Sequence, residues 1–188
     1  RNVGTAQAPA FEVAAKGLTT TGGTPVAIED SSIPALADVD GDGDPDLLSG
    51  KADVGSIAYY RHDGLDADGL PSYTFVTDSY QDIRIYEENP QCTGRAPGGL
   101  GDAGSAAPTR MTSRHGANAM ALVDLTGDGA PELFWGDFFA PSLFYFVNAG
   151  TPTAPDFELG SERFPVGQPL SSGGYNAPTF GDADGDAD

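Results

Sequence analysis

The sequence predicts an all-β fold: four-stranded antiparallel blades of a β-propeller, with a partial propeller, a fragment of a longer chain, in these 188 residues. Three observations predict it. An acidic loop recurs in phase with a second motif. The segments between are short, aromatic-rich and bounded by Gly and Pro, as strands are. Gly (26) and Pro (15) make up about a fifth of the chain, which suits many turns and disfavours a helical protein.

The acidic loop begins at Asp38 as DVDGDGDPDL and recurs without gaps at Asp124 as DLTGDGAPEL. A third copy, DADGDAD, starts at Asp182 and runs to the end of the chain. The second motif, NVGTAQAPAFE from Asn2, matches NAGTPTAPDFE from Asn148 at seven of eleven positions. A degenerate middle copy starts at His62, where a turn role is expected. Asp38 to His62 and Asp124 to Asn148 are both 24 residues, so the motifs keep phase. Repetition at this period points to a stacked architecture before any secondary structure is assigned.

Each unit then reads as four strands. Residues 35–39 and 119–123 lead into the acidic loops, and 47–50 and 133–136 lead out. The aromatic runs SIAYYR (56–61) and SLFYFV (142–147) form third strands. Residues 11–13, 73–77 and 157–159 close their units. Four short strands per roughly 60 residues is a propeller-blade pattern. The chain divides as 1–30 (end of one blade), 31–77 (a blade), 78–118 (insertion), 119–160 (a blade) and 161–188 (start of the next). Two nearly complete units cannot close a ring of roughly 4–8 blades, hence the expectation of a longer chain. The insertion holds Cys92 and the arginines Arg84, Arg95, Arg110 and Arg114. It is either a surface loop or a binding loop on a rigid scaffold.

In the first loop Asp38, Asp40, Asp42, Asp44 and Asp46 fall on alternate positions, with Gly41 and Gly43 between them. Carboxylates this close repel unless a cation neutralises them, and hard oxygen donors in this number suit Ca2+. Counting from Asp38, positions 1, 3, 5 and 9 offer side chains, and Asp44 at position 7 offers its backbone carbonyl. The second loop keeps Asp124, Asp128 and Glu132 but has Thr126 at position 3 and Ala130 at position 7. With fewer charges it is expected to bind more weakly. The third offers Asp182, Asp184 and Asp186, with Asp188 at position 7. An EF-hand places its last acidic ligand at position 12 between helices, which this pattern does not. Asp66 and Asp68, followed by Gly69, lack the later positions and read as a polar turn.

PALADVDGDGDPDLLSG, followed by an aromatic strand, an N-x-G-T turn and P-x-F-E, resembles the FG-GAP/VCBS-type repeats of integrin-α-like β-propellers. The likeness covers nearly the whole chain outside 78–118. It implies calcium-binding hairpins joining the first two strands of a blade, with the loop residues named above as ligands. It implies an extracellular or cell-surface scaffold for adhesion or for contact with a protein or glycan, with calcium structural. Two other functions fit the same scaffold: the propeller part of a secreted polysaccharide lyase or hydrolase, and a subunit of a surface assembly or filament.

Composition narrows the partners. A net charge of −19, from 28 acidic and 9 basic residues, disfavours nucleic acid and anionic membranes. No apolar run reaches the roughly 18 residues of a membrane span. A single cysteine leaves no internal disulfide framework. No catalytic set stands out: Cys92 with His115 lacks an orienting partner, and His62 with Asp63 reads as a solvated turn. Trp135, Phe144, Tyr145 and Phe146 read as blade core, while Phe138 and Phe139 lie near a turn. The expected contact surface is the insertion, for a protein or glycan ligand, other chains, or the rest of the propeller.

Overall fold

A computed structural model describes residues 1–15, 17–29, 32–51, 55–85, 119–137 and 140–181. The described residues form two four-stranded antiparallel sheets. The first is β1 (Ala35–Ala37), β2 (Asp46–Lys51), β3 (Ser56–Leu65) and β4 (Pro71–Thr77), paired in chain order. A 3-10 turn at Tyr80–Asp82 follows. The second sheet is β5 (Ala119–Val123), β6 (Glu132–Gly136), β7 (Leu143–Asn148) and β8 (Phe157–Phe164), again in chain order.

The repetition in sequence is a repetition in register. Leu36 faces Leu47 and Leu47 faces Tyr60. Shifted by the 86 residues between Asp38 and Asp124, these become Leu122 facing Leu133 and Leu133 facing Phe146, as observed. The N-x-G-T turn repeats as well. Asn148 Oδ1 accepts the N–H groups of Gly150 and Asp156, and Asn2 Oδ1 accepts those of Gly4 and Ala10. Both turns need glycine, since a Cβ at Gly4 or Gly150 would run into the carbonyl of Ala8 or Ala154.

The sheets stack front to back. Leu48, Ile57 and Tyr59 of the first share one core with Leu133, Trp135, Phe144 and Phe146 of the second. The repeat equivalents of Leu133, Phe144 and Phe146 in the first sheet are Leu47, Ala58 and Tyr60. Those point the other way, into a separate cluster with Tyr73, covered by Leu18 and Val26. On the far side of the second sheet, Phe134 packs against Tyr145, Phe164 and Phe180. The second strand of each sheet, β2 and β6, is therefore buried on both faces. Each large apolar side chain fully buried in this way contributes about 1.5–3 kcal/mol.

Two further contacts join the sheets. Ile33 and Ala119 form a parallel bridge beside the first strands. In the 3-10 turn, Gln81 takes a left-handed backbone (φ 51°) and bonds the second sheet at two points. Its Nε2 donates to the Pro155 carbonyl and its Oε1 accepts the Phe157 N–H.

Two sequence expectations are corrected. Residues 11–13 form no strand. They make only the isolated bridge Asn2–Phe11, and Phe11 and Val13 are exposed, because no described neighbour supplies a ladder. His62 is not in a turn but inside β3, where it pairs with Tyr73 and is buried. The turn lies further on, at Asp66, whose Oδ1 accepts the N–H groups of Asp68 and Leu70. That register shift between His62 and Leu65 displaces the turn from the position the repeat predicts.

Candidate metal centre

The hairpin between β1 and β2 is organised by its own carboxylates. Asp38 accepts Gly41 N–H on Oδ1 (2.7 Å) and Gly43 N–H on Oδ2 (2.9 Å). Asp40 accepts from Asp42 N–H, and Asp42 from Asp44 N–H. Gly41 and Gly43 lie at φ 78° and 95°, where a side chain would be strained. These turns bring oxygens of Asp38, Asp40 and Asp42 within 4.8 Å of one another, and Asp40 and Asp42 are exposed. Each such pair of charges repels by about 1 kcal/mol even in water. A divalent cation relieves that repulsion, so the donor set fits a hard ion held by oxygens.

Asp46 is placed differently. It is fully buried, and both its oxygens take protein hydrogen bonds. Oδ2 accepts from Val39 N–H (3.1 Å) and the Tyr59 hydroxyl (3.2 Å), and Oδ1 accepts His62 N–H (2.7 Å). Burial raises its pKa above the ordinary carboxylate value, partly offset by the two backbone donors, with the field of Asp40 raising it further. Asp44 turns its carboxylate toward β3, 3.6 Å from His62 Nδ1.

The hairpin between β5 and β6 repeats this frame. Asp124 accepts from Gly127, Asp128 and Gly129 N–H, and Asp128 from Ala130 N–H. Glu132, also buried, accepts Leu125 N–H at 2.8 Å, as Asp46 accepts Val39. The oxygens of Asp124, Asp128 and Glu132 are not brought within 4.8 Å of one another; among the described residues only the first loop does so. Thr126 contributes no charge and points its hydroxyl at Glu132 Oε1 (3.4 Å). Asp182, Asp184, Asp186 and Asp188 lie outside the described residues, as do Cys92, His115, Phe138, Phe139 and residues 86–118 of the insertion.

Two residues that support the site are visible only in the folded structure. Tyr59 lies in an aromatic run that reads only as strand, and its hydroxyl bond to Asp46 depends on register. Thr153 abuts the first loop from the other sheet: a Cβ at Gly41 would collide with it. Neither has a signal in the sequence.

Comparison of the chain with protein-family models, with curated proteins and with solved structures finds no match. The geometry establishes an all-β architecture of two repeated antiparallel sheets and an acidic group, Asp38, Asp40 and Asp42, able to coordinate a metal ion.

Proposed function

We propose that this chain is part of a calcium-stabilised β-propeller that serves outside the cell as an adhesion or protein/glycan interaction scaffold. The observation that carries the reading is the front-to-back stacking of two sheets with the same register and the same acidic hairpin. A sandwich built from two like sheets would bury like faces. Here unlike faces meet, and such a head-to-tail interface can be repeated by further copies and forms a ring where the rotation between them closes. The parallel Ile33–Ala119 bridge sets the first strands side by side, as inner strands lie around a common axis.

Calcium in this reading is structural. It neutralises the aspartates of each hairpin and pins the hairpin to its strands, with Asp38, Asp40, Asp42 and Asp46 as side-chain ligands and Asp44 as a carbonyl. The second loop uses Asp124, Thr126, Asp128, Glu132 and the Ala130 carbonyl, and the third Asp182, Asp184, Asp186 and Asp188. The strongly acidic surface suits a calcium-rich medium and repels polyanions. The insertion, residues 78–118, is the proposed contact surface.

Thermal melting with calcium and with chelator tests the structural role. At a hundredfold excess over Kd, one site raises the melting temperature by roughly 5–10 °C. An identical melt under both conditions rejects structural calcium.

A further inference from the structure

We propose that His62 positions the first calcium loop by holding the Asp44 side chain, so that position 7 presents its peptide carbonyl rather than its carboxylate to the ion. The inference rests on the reading of residues 38–46 as a calcium loop.

His62 is buried within β3 at 7% exposure, and neither ring nitrogen has a hydrogen-bond partner. Leaving a buried polar group without a partner is costly, so the exceptions in a native fold call for a reason. The nearest acid is Asp44, whose Oδ2 is 3.6 Å from His62 Nδ1. That is less than about 1 Å beyond a normal hydrogen bond. Asp44 is half exposed and belongs to the hairpin, while the imidazole is held in the sheet and tilted against Tyr73 at 5.2 Å. The loop is therefore the part that moves to complete the bond when it tightens on a cation.

The second sheet provides an internal comparison. Its register places Asn148 where His62 stands. Asn148 Nδ2 donates to the Pro131 carbonyl at 3.3 Å and so grips the loop one residue beyond position 7. Its Oδ1 organises the β7–β8 turn. In the first sheet that turn is organised by Asp66, which frees residue 62 from the task. Position 7 is Ala130 in the loop held by Asn148 and Asp44 in the loop beside His62. An acidic side chain at position 7 thus occurs with an imidazole beneath it, and a methyl with an amide that binds backbone. In both sheets the same strand position thus lies beneath position 7 to 8 of its loop.

The test is calcium calorimetry on the full chain with the other loops silenced by D124N, D128N, D182N and D184N. His62→Gln and His62→Asn separate the two ring positions, since a Gln amide nitrogen replaces Nε2 and an Asn amide nitrogen replaces Nδ1. His62→Gln is expected to weaken calcium binding about tenfold, the weight of one charge-assisted hydrogen bond, and His62→Asn to stay within about threefold of the parent. In an Asp44→Ala background, His62→Gln should cost no further affinity. A His62→Gln loss that persists without Asp44 overturns the proposal, as do equal affinities of the two variants. If the parent binds no calcium in its first loop, the reading of that loop fails as well, which sets that outcome apart from the others.

Discussion

Gln81 Oε1 accepts the backbone N–H of Phe157 at 2.8 Å, across the boundary between the two sheets. The same side chain donates from Nε2 to the Pro155 carbonyl at 2.6 Å. One amide thus satisfies both a donor and an acceptor on the turn that begins β8. Its left-handed backbone is held in place by those two bonds. Gln81→Ala should lower stability by about 1–3 kcal/mol, because two backbone groups lose their partners. Chemical denaturation measures this, and a variant as stable as the parent would show that water replaces the clamp at no cost.

Gly41 and Gly127 occupy equivalent loop positions at φ 78° and 75°. Only Gly41 is crowded: a Cβ there would strike Thr153, whereas nothing lies within 4 Å of one at Gly127. Alanine at Gly127 is expected to cost about 1 kcal/mol, the conformational penalty alone. Alanine at Gly41 should cost more, about 2–3 kcal/mol, because the loop must also back away from the second sheet. Equal losses in paired unfolding curves would mean that the contact with Thr153 carries no energy.

The two loops differ by charge at position 3, Asp40 against Thr126. Exchanging these residues should exchange the strengths of the sites. Asp40→Thr is expected to weaken calcium binding at the first loop on the order of tenfold, and Thr126→Asp to strengthen the second by a similar factor. Calorimetry of each variant reads both changes. A first loop indifferent to Asp40 would remove that carboxylate from the ligand set.

Tyr80 packs its ring on Tyr59 at 5.0 Å, and burial pushes its phenol from 10.0 up to about 12. A hydrogen bond with Gln81 opposes this, and the fields of Asp46 and Asp40 add to it. The folded state thus holds the proton more tightly than the unfolded state. Its contribution is present in full below pH 10 and is lost as pH rises toward 12. Stability measured by denaturant should therefore turn downward above pH 10. Tyr80→Phe should flatten that decline, and a decline of unchanged slope would assign it to other groups, Tyr59 among them.

The sequence by itself determined the repeat, the strand order and the two acidic hairpins. These follow from local chemistry. Gly41 and Gly43 permit the left-handed turns, alternating aspartates cap them, and the aromatic runs favour strands wherever they sit. The expected strands at 47–50 and 73–77 emerge as β2 and β4 with bounds moved by a few residues. The expected strand at 11–13 does not form, because a strand depends on a neighbour and no described segment provides one. Asp46 looks in the sequence like its four companions. Only the tertiary structure separates it, since pairing with β3 buries it under the hydroxyl of Tyr59 and the amide of His62. The same holds for His62 itself. Its spacing from Asp38 assigns it to a turn, but β3 continues past it to Leu65, whereas β7 ends at the equivalent Asn148, and this draws His62 into the sheet and beneath Asp44. Which face of each sheet is covered, and by what, was likewise decided in three dimensions. β2 and β6 are buried on both sides, so Leu47–Leu48 and Leu133–Phe134–Trp135 are unbroken apolar runs, and a run without alternation cannot say which side meets its neighbour.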